Sequence, residues 1–136
     1  MIPSNHWEVP VEVKETDFDS LGHVNNVVYL RYVMEVAASH WNAIATDGQL
    51  SSSIWVVRRH EIDYNHSILP GQPVLGLTWV HKPEGSRFDR SVWIVSPDKQ
   101  TVFAKAKTTW LLMNMETGKP KRVDGDLLEV FEKWMV

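Results

Sequence analysis

Residues 16–26, TDFDSLGHVNN, gather the side chains of this chain best suited to chemistry. Two carboxylates, Asp17 and Asp19, are followed by Gly22, His23 and the paired amides Asn25 and Asn26, just ahead of a long stretch with helical periodicity. A helix start offers unpaired N–H groups and a partial positive charge, which favour negative charge developing on a carbonyl oxygen. Gly22 permits close backbone approach, so the Gly22-His23-Val24 turn is placed to aim amides at such a carbonyl. Asp19 precedes Gly22 by three residues and reaches the same point, where a carboxylate attacks the carbonyl carbon or deprotonates water. His23 can donate a proton, orient that water or brace the asparagines. The same residue types also serve as caps and Asx turns, and Asp17 is read that way, as a hydrogen-bonding anchor of the loop. Asn25 and Asn26 are expected to cap the helix and organise the loop, with substrate contact as the second reading. Tyr29, one helical turn on, faces either a substrate pocket or the core. Glu35 within a largely apolar helix calls for a partner, and Arg31 at i−4 supplies one.

The elements that must hold this loop can be read from period. Residues 6–14 alternate, with Trp7, Val9, Val11 and Val13 on one face, and Pro10 points to an edge strand or a bulge. Residues 26–45 form the long helix, with Val27, Leu30, Met34, Ala37, Trp41 and Ile44 as its apolar stripe and Asp47-Gly48 as a turn beyond it. Strands are expected at residues 54–64, 74–81, 87–95 and 101–113, the last two forming a hairpin. A short helix at residues 124–134 closes the chain. The order β-α-β-β-β-β-α, with the last four strands meandering, makes residues 1–136 a single α+β domain whose sheet wraps the long helix.

Composition narrows the function classes. The chain has 136 residues, 43% of them hydrophobic, enough for a core without disulfides or metals. It has no cysteine, which removes thiol catalysis and thiolate metal sites and fits a cytoplasmic setting. A net charge of −3 speaks against nucleic acid as a partner, and no apolar run is long enough to span a membrane. His60 and His66 fall about 20 Å apart on an extended strand, and His6, His40 and His81 lack ligand spacing, so no metal is expected. The seven tryptophans are spread one per element and read as core and interface packing, some of them flooring a pocket. Lys82, Arg87 and Arg90 flank a turn, Lys105 and Lys107 lie on one strand, and Lys119, Lys121 and Arg122 cluster after it. Any of these can meet a phosphate, and solvated surface charge is the plainer account.

From Thr16 through Asp17, Asp19, Gly22, His23, Val24, Asn25, Asn26, Tyr29, Leu30, Arg31 and Tyr32 to Glu35, the chain resembles the 4-hydroxybenzoyl-CoA thioesterase-like branch of the hotdog superfamily. The resemblance covers nearly the whole chain. It implies a hotdog fold and hydrolysis of an acyl-CoA or acyl-carrier-protein thioester, with no cofactor beyond the coenzyme A of the substrate. It puts the family's catalytic aspartate on Asp19, as nucleophile or as base for water, and the loop glycine and its neighbour on Gly22 and His23. Acyl-carrier-protein thioesterases share the HVNN element but carry an asparagine where this chain has Leu21. Substrate contacts are assigned to Asn25, Asn26, Tyr29, Arg87 and Lys82, the last two toward coenzyme A phosphates. Hotdog domains generally pair through a sheet edge, which implies a homodimer or homotetramer with the site near the subunit boundary. Two rivals stand beside this reading. A hotdog hydratase or dehydratase places its aspartate and histidine one residue further apart and does not continue into HVNN. A non-catalytic acyl-CoA-binding module has no need of Asp19, Gly22 and His23 together.

Overall fold

In the computed structural model, which describes residues 1–136, five antiparallel strands form one sheet. The strands are β1 (Trp7–Val11), β2 (Ser53–Tyr64), β3 (Val74–Val80), β4 (Arg87–Val95) and β5 (Val102–Asn114). The helices are α1 (Asn26–Ile44), α2 (Asp47–Ser52) and α3 (Gly125–Glu129), with 3-10 turns at Glu15–Asp17 and Glu132–Trp134. The sheet order is β1-β3-β4-β5-β2. The last four strands therefore do not simply meander: β3, β4 and β5 do, while β2 crosses to the far edge and pairs with β5. Length explains the choice. β2 has 12 residues and β5 has 13, whereas β3 has 7, so only β5 can satisfy the backbone of β2 along most of its length. Pro10 lies on the edge strand β1, where a missing N–H is tolerated.

Helix α1 lies across β1, β3 and β4. Its buried face is Tyr29, Tyr32, Val33, Val36, Ala37 and His40, rotated from the expected stripe, of which Val27 is 74% exposed. Polar tips explain the rotation. Tyr32 Oη donates to Asp17, Tyr29 Oη accepts from the Ile68 amide, and His40 Nδ1 accepts from Arg90, so both tyrosine hydroxyls are satisfied in the core, while His40 Nε2 is buried without a partner. Val36 rests on Gly76 of β3, where a Cβ would overlap the valine side chain.

Two core clusters sit on the helix side of the sheet. One, under the first half of α1, joins Tyr29, Tyr32, Val33 and Val36 to Val74, Val92, Ile94 and Ala104. The other joins Val80, Phe88 and Leu112 to Val123, Leu127 and Phe131 of the C-terminal segment, with Trp41, Ile44 and Trp55 against them. The expected C-terminal helix is in fact two short pieces. Its bonds tighten to i→i+3 at Phe131 and Trp134, which brings Trp134 edge-on to the His40 ring at 4.7 Å. The expected turn at Asp47-Gly48 is the first turn of α2, started by a capping box between Thr46 and Gln49.

Candidate active site

The loop between β1 and α1 closes on itself. Phe18 and Val24 form an antiparallel bridge, the Asp19 amide donates to the His23 carbonyl at 2.9 Å, and the Gly22 amide donates to the Asp19 carbonyl at 3.1 Å. Gly22 makes the reversal at φ +83°, a left-handed conformation that costs other residues conformational energy. Asp19 Oδ1 accepts from the Leu21 amide at 2.9 Å and, at a longer 3.5 Å, from the His23 amide. Its other oxygen, Oδ2, stands 3.7 Å from His23 Nδ1, too far for a hydrogen bond and close enough for charge interaction. The Asp19 side chain is 29% exposed, so one oxygen is held and the other is open to a ligand.

Asp17 does a different job. It is 1% exposed and accepts from the Lys14 amide at 2.8 Å, from Arg31 Nη2 at 2.7 Å and from Tyr32 Oη at 2.8 Å. Burial works against its charge, but Arg31, the Lys14 amide and the Tyr32 hydroxyl together hold the carboxyl down at about 2. The loop is thereby bolted to the first turns of α1. Arg31 also reaches Glu35 at 3.3 Å, the partner expected from their spacing, and Glu35 is half exposed.

Asn25 caps α1, its side chain accepting from the Val27 amide at 3.3 Å. Of the amides expected to face a carbonyl, Gly22 donates to the Asp19 carbonyl, Val24 to the Ile68 carbonyl and His23, at 3.5 Å, to Asp19 Oδ1. The Asn26 amide, at the first helical position, donates to no protein acceptor. Asp19, His23, Asn25, Asn26 and Tyr29 border one groove of about 480 Å³. Its opposite wall is Tyr64, Asn65, His66 and Ser67, a stretch that sequence reasoning left out because its position depends on β2 crossing to the far edge. Tyr29 is buried, packs edge-on to Tyr32 and Tyr64, and spends its hydroxyl on the Ile68 amide and His66 carbonyl. Lys82 and Arg87 are not in this groove. They flank the β3–β4 turn, while β4 reaches the groove's end of the sheet at Ile94, some 23 Å further along an extended strand.

A model of the thioesterase-like superfamily matches residues 13–131, a span that takes in the loop, α1 and strands β2 to β5. The chain belongs to the thioesterase-like superfamily. The solved structure of a thioesterase from Thermus thermophilus, complexed with coenzyme A and zinc, matches at 26% identity and a TM-score of 0.78, over 91% of this chain and 90% of that one. A 1,4-dihydroxy-2-naphthoyl-CoA thioesterase from Synechocystis matches with a TM-score of 0.79 at 15% identity, over 93% and 95% of the two chains. A predicted thioesterase from Bacillus stearothermophilus reaches 0.85 at 18% identity, over 96% and 97%. The last two likenesses are of fold. No curated protein matches the chain in sequence. Thioester hydrolysis is therefore the general reaction of this enzyme.

Elsewhere in this thioesterase-like chain, no three His, Asp or Glu side chains stand close enough together to hold a metal ion, and no helix is long and apolar enough to cross a membrane. Arg90, expected on the surface beside a turn, is instead 6% exposed on the helix side of the sheet. The strand alternation of β4 puts it there: Phe88, Arg90, Val92 and Ile94 share that face, and the side chain enters under α1.

Proposed function

We propose that this thioesterase hydrolyses acyl-CoA in the groove beside α1, with Asp19 acting on the thioester carbonyl. One observation carries the reading. The turn holds one oxygen of the Asp19 carboxylate with the Leu21 amide and leaves the other free, beside His23 and the first turn of the helix. A thioester carbonyl at the helix start meets the Asn26 amide and the positive end of the α1 dipole, which stabilise the charge that develops on oxygen. The new C–O bond forms as the C–S bond breaks, and the thiolate leaves to take up a proton. In one form of the step Asp19 attacks and water then cleaves the mixed anhydride; in the other Asp19 takes the proton of the attacking water. Gly22 serves by making the turn rather than by donating its amide, and His23 is placed to steer water or to protonate the leaving sulfur. The coenzyme A held by the Thermus thermophilus enzyme supports coenzyme A as the thiol, ahead of a carrier protein.

We further read the enzyme as a homodimer joined along β2. That strand is a 12-residue sheet edge with Ile54 and Val56 exposed, an arrangement that invites pairing with a second copy.

Thiol release from short, long and aromatic acyl-CoAs, wild type beside Asp19→Asn, tests the assignment. Asparagine keeps the Leu21 contact and removes the charge, so kcat is expected to fall about 10²-fold or more while KM changes little. Unimpaired turnover by Asp19→Asn would sink the role given to Asp19. In a single turnover in ¹⁸O-water, label recovered in Asp19 identifies the anhydride form with water attacking the aspartyl carbonyl.

A further inference from the structure

A second cavity lies at the other end of α1 from the Asp19 groove. It holds about 160 Å³ and is walled by Trp41, Trp55, Phe88, Trp110 and Phe131, with Arg90 as its one charged residue. That volume suits a single aromatic ring or a short alkyl chain. The walls are rigid. Phe131 stacks on Trp41 at 5.6 Å and meets Phe88 edge-on at 4.8 Å, and Trp55 meets Trp41 edge-on at 5.7 Å.

Arg90 is the anomaly. Its Nη1 donates to His40 Nδ1 at 2.9 Å and to Thr78 Oγ1 at 2.8 Å, both neutral acceptors, and no carboxylate pairs with it. His40 cannot share the charge. Burial, with Arg90 adding repulsion, pushes its ring down to about 3, so it stays neutral. Burial also pulls Arg90 down to about 9, which still leaves it charged at neutral pH. Buried cations in folded proteins are almost always paired, because an isolated charge in an apolar setting is costly. Trp110, in the same wall, has its Nε1–H buried and without an acceptor. The cavity thus presents a cation with no anionic partner, set 5.9 Å from the Phe131 ring, and an idle donor inside an aromatic box.

We propose that this cavity receives the acyl end of the thioester, and that Arg90 selects a ring-sized acyl group bearing an anionic oxygen at its far end. The inference rests on the thioesterase reading and on the β2-paired dimer. Within one chain Trp55 and Tyr64 lie nine residues apart on β2, roughly 30 Å when extended, so cavity and groove of the same copy are too distant to share a small acyl group. Antiparallel pairing of β2 with its copy brings the Trp55 end of one chain beside the Tyr64 end of the other. A thioester held at one chain's Asp19 then reaches the other chain's cavity. The folded protein has already desolvated Arg90, so an entering oxyanion meets a guanidinium stripped of water and gains a charge-assisted hydrogen bond.

The test compares 4-carboxybenzoyl-CoA with 4-methylbenzoyl-CoA, which share the ring and the para position and differ in the distal charge, the neutral methyl group being the smaller. Wild type is expected to favour the carboxylate in kcat/KM by about 10- to 100-fold, and Arg90→Met to abolish or invert that preference. Equal turnover of the two by the wild type, or preference for the methyl compound, overturns the proposal while leaving thioester hydrolysis intact. The wild-type ratio decides even if Arg90→Met does not fold. If neither compound is hydrolysed, tryptophan fluorescence quenching by benzene-1,4-dicarboxylate and 4-methylbenzoate decides: tighter binding of the dicarboxylate upholds the cavity assignment, and equal or absent binding ends it.

Discussion

Two aspartates two residues apart illustrate how environment divides labour. Asp17 spends its carboxylate on Arg31, Tyr32 and the Lys14 amide, and Asp19 keeps one oxygen free. The first should show in stability and the second in turnover. Asp17 sits at about 2 in the folded chain against an ordinary 3.8, so its ionised form stabilises the fold above pH 3.8. That contribution is lost as the pH falls from 3.8 toward 2. It is worth roughly 2 kcal/mol. Urea unfolding of Asp17→Asn is expected to show a lower midpoint at neutral pH and a smaller loss of stability across that acid window, where Glu8 and Asp98, also held below their ordinary values, still titrate. Coincident pH–stability curves for the two proteins would contradict the anchoring role.

At the scale of elements, α1 can lie close to the sheet because β3 has no side chain where the helix crosses it. At Gly76 a Cβ would overlap Val36 Cγ2 and stand 3.3 Å from Val11 Cγ2. Overpacking of this kind costs about 1 to 3 kcal/mol, so Gly76→Ala should lower the unfolding midpoint accordingly. Since α1 also carries the loop anchor through Arg31 and Tyr32, a lifted helix should disturb Asp19 as well. Turnover of the Gly76→Ala protein is expected to drop even at temperatures where circular dichroism shows it folded. Unchanged stability would mean that Val36 has room to rotate away.

For the whole molecule, the decisive feature is the far edge of the sheet. β2 leaves 12 residues of backbone unpaired on one side, flanked by Ile54 at 37% and Val56 at 43% exposure. Long, apolar edges are usually covered, and a second copy is the occupant we propose. Light scattering should return at least twice the chain mass for the wild type and a lower mass for Val56→Lys, which puts a charge on that edge. The same substitution should reduce turnover, because it separates each Asp19 from the cavity of the other chain. A wild type that is monomeric at micromolar concentration and fully active would remove both the dimer and the shared site.

The turn that holds Asp19 was legible in the sequence because it is local. Asp19, Gly22 and Asn25 are held by bonds to residues two to four positions away, and type and spacing report such bonds directly, whereas Asp17 reaches Arg31 and Tyr32 across 14 and 15 positions. The long helix and the strands were legible for the same reason, since period is a local property. Three things were decided only in three dimensions. Sheet order depends on matching the lengths of β2 and β5, which are far apart in the chain, and it alone brings Tyr64 to His66 opposite Asp19. The buried face of α1 follows hydrogen bonds made by Tyr29, Tyr32 and His40 to distant partners, which a scale of polarity cannot foresee. Arg90 reads as a surface cation beside a turn, yet strand alternation and the helix above it bury it among tryptophans. Its charge has no anionic partner because the fold brings a neutral histidine, a threonine and the Phe131 ring to it, and no carboxylate.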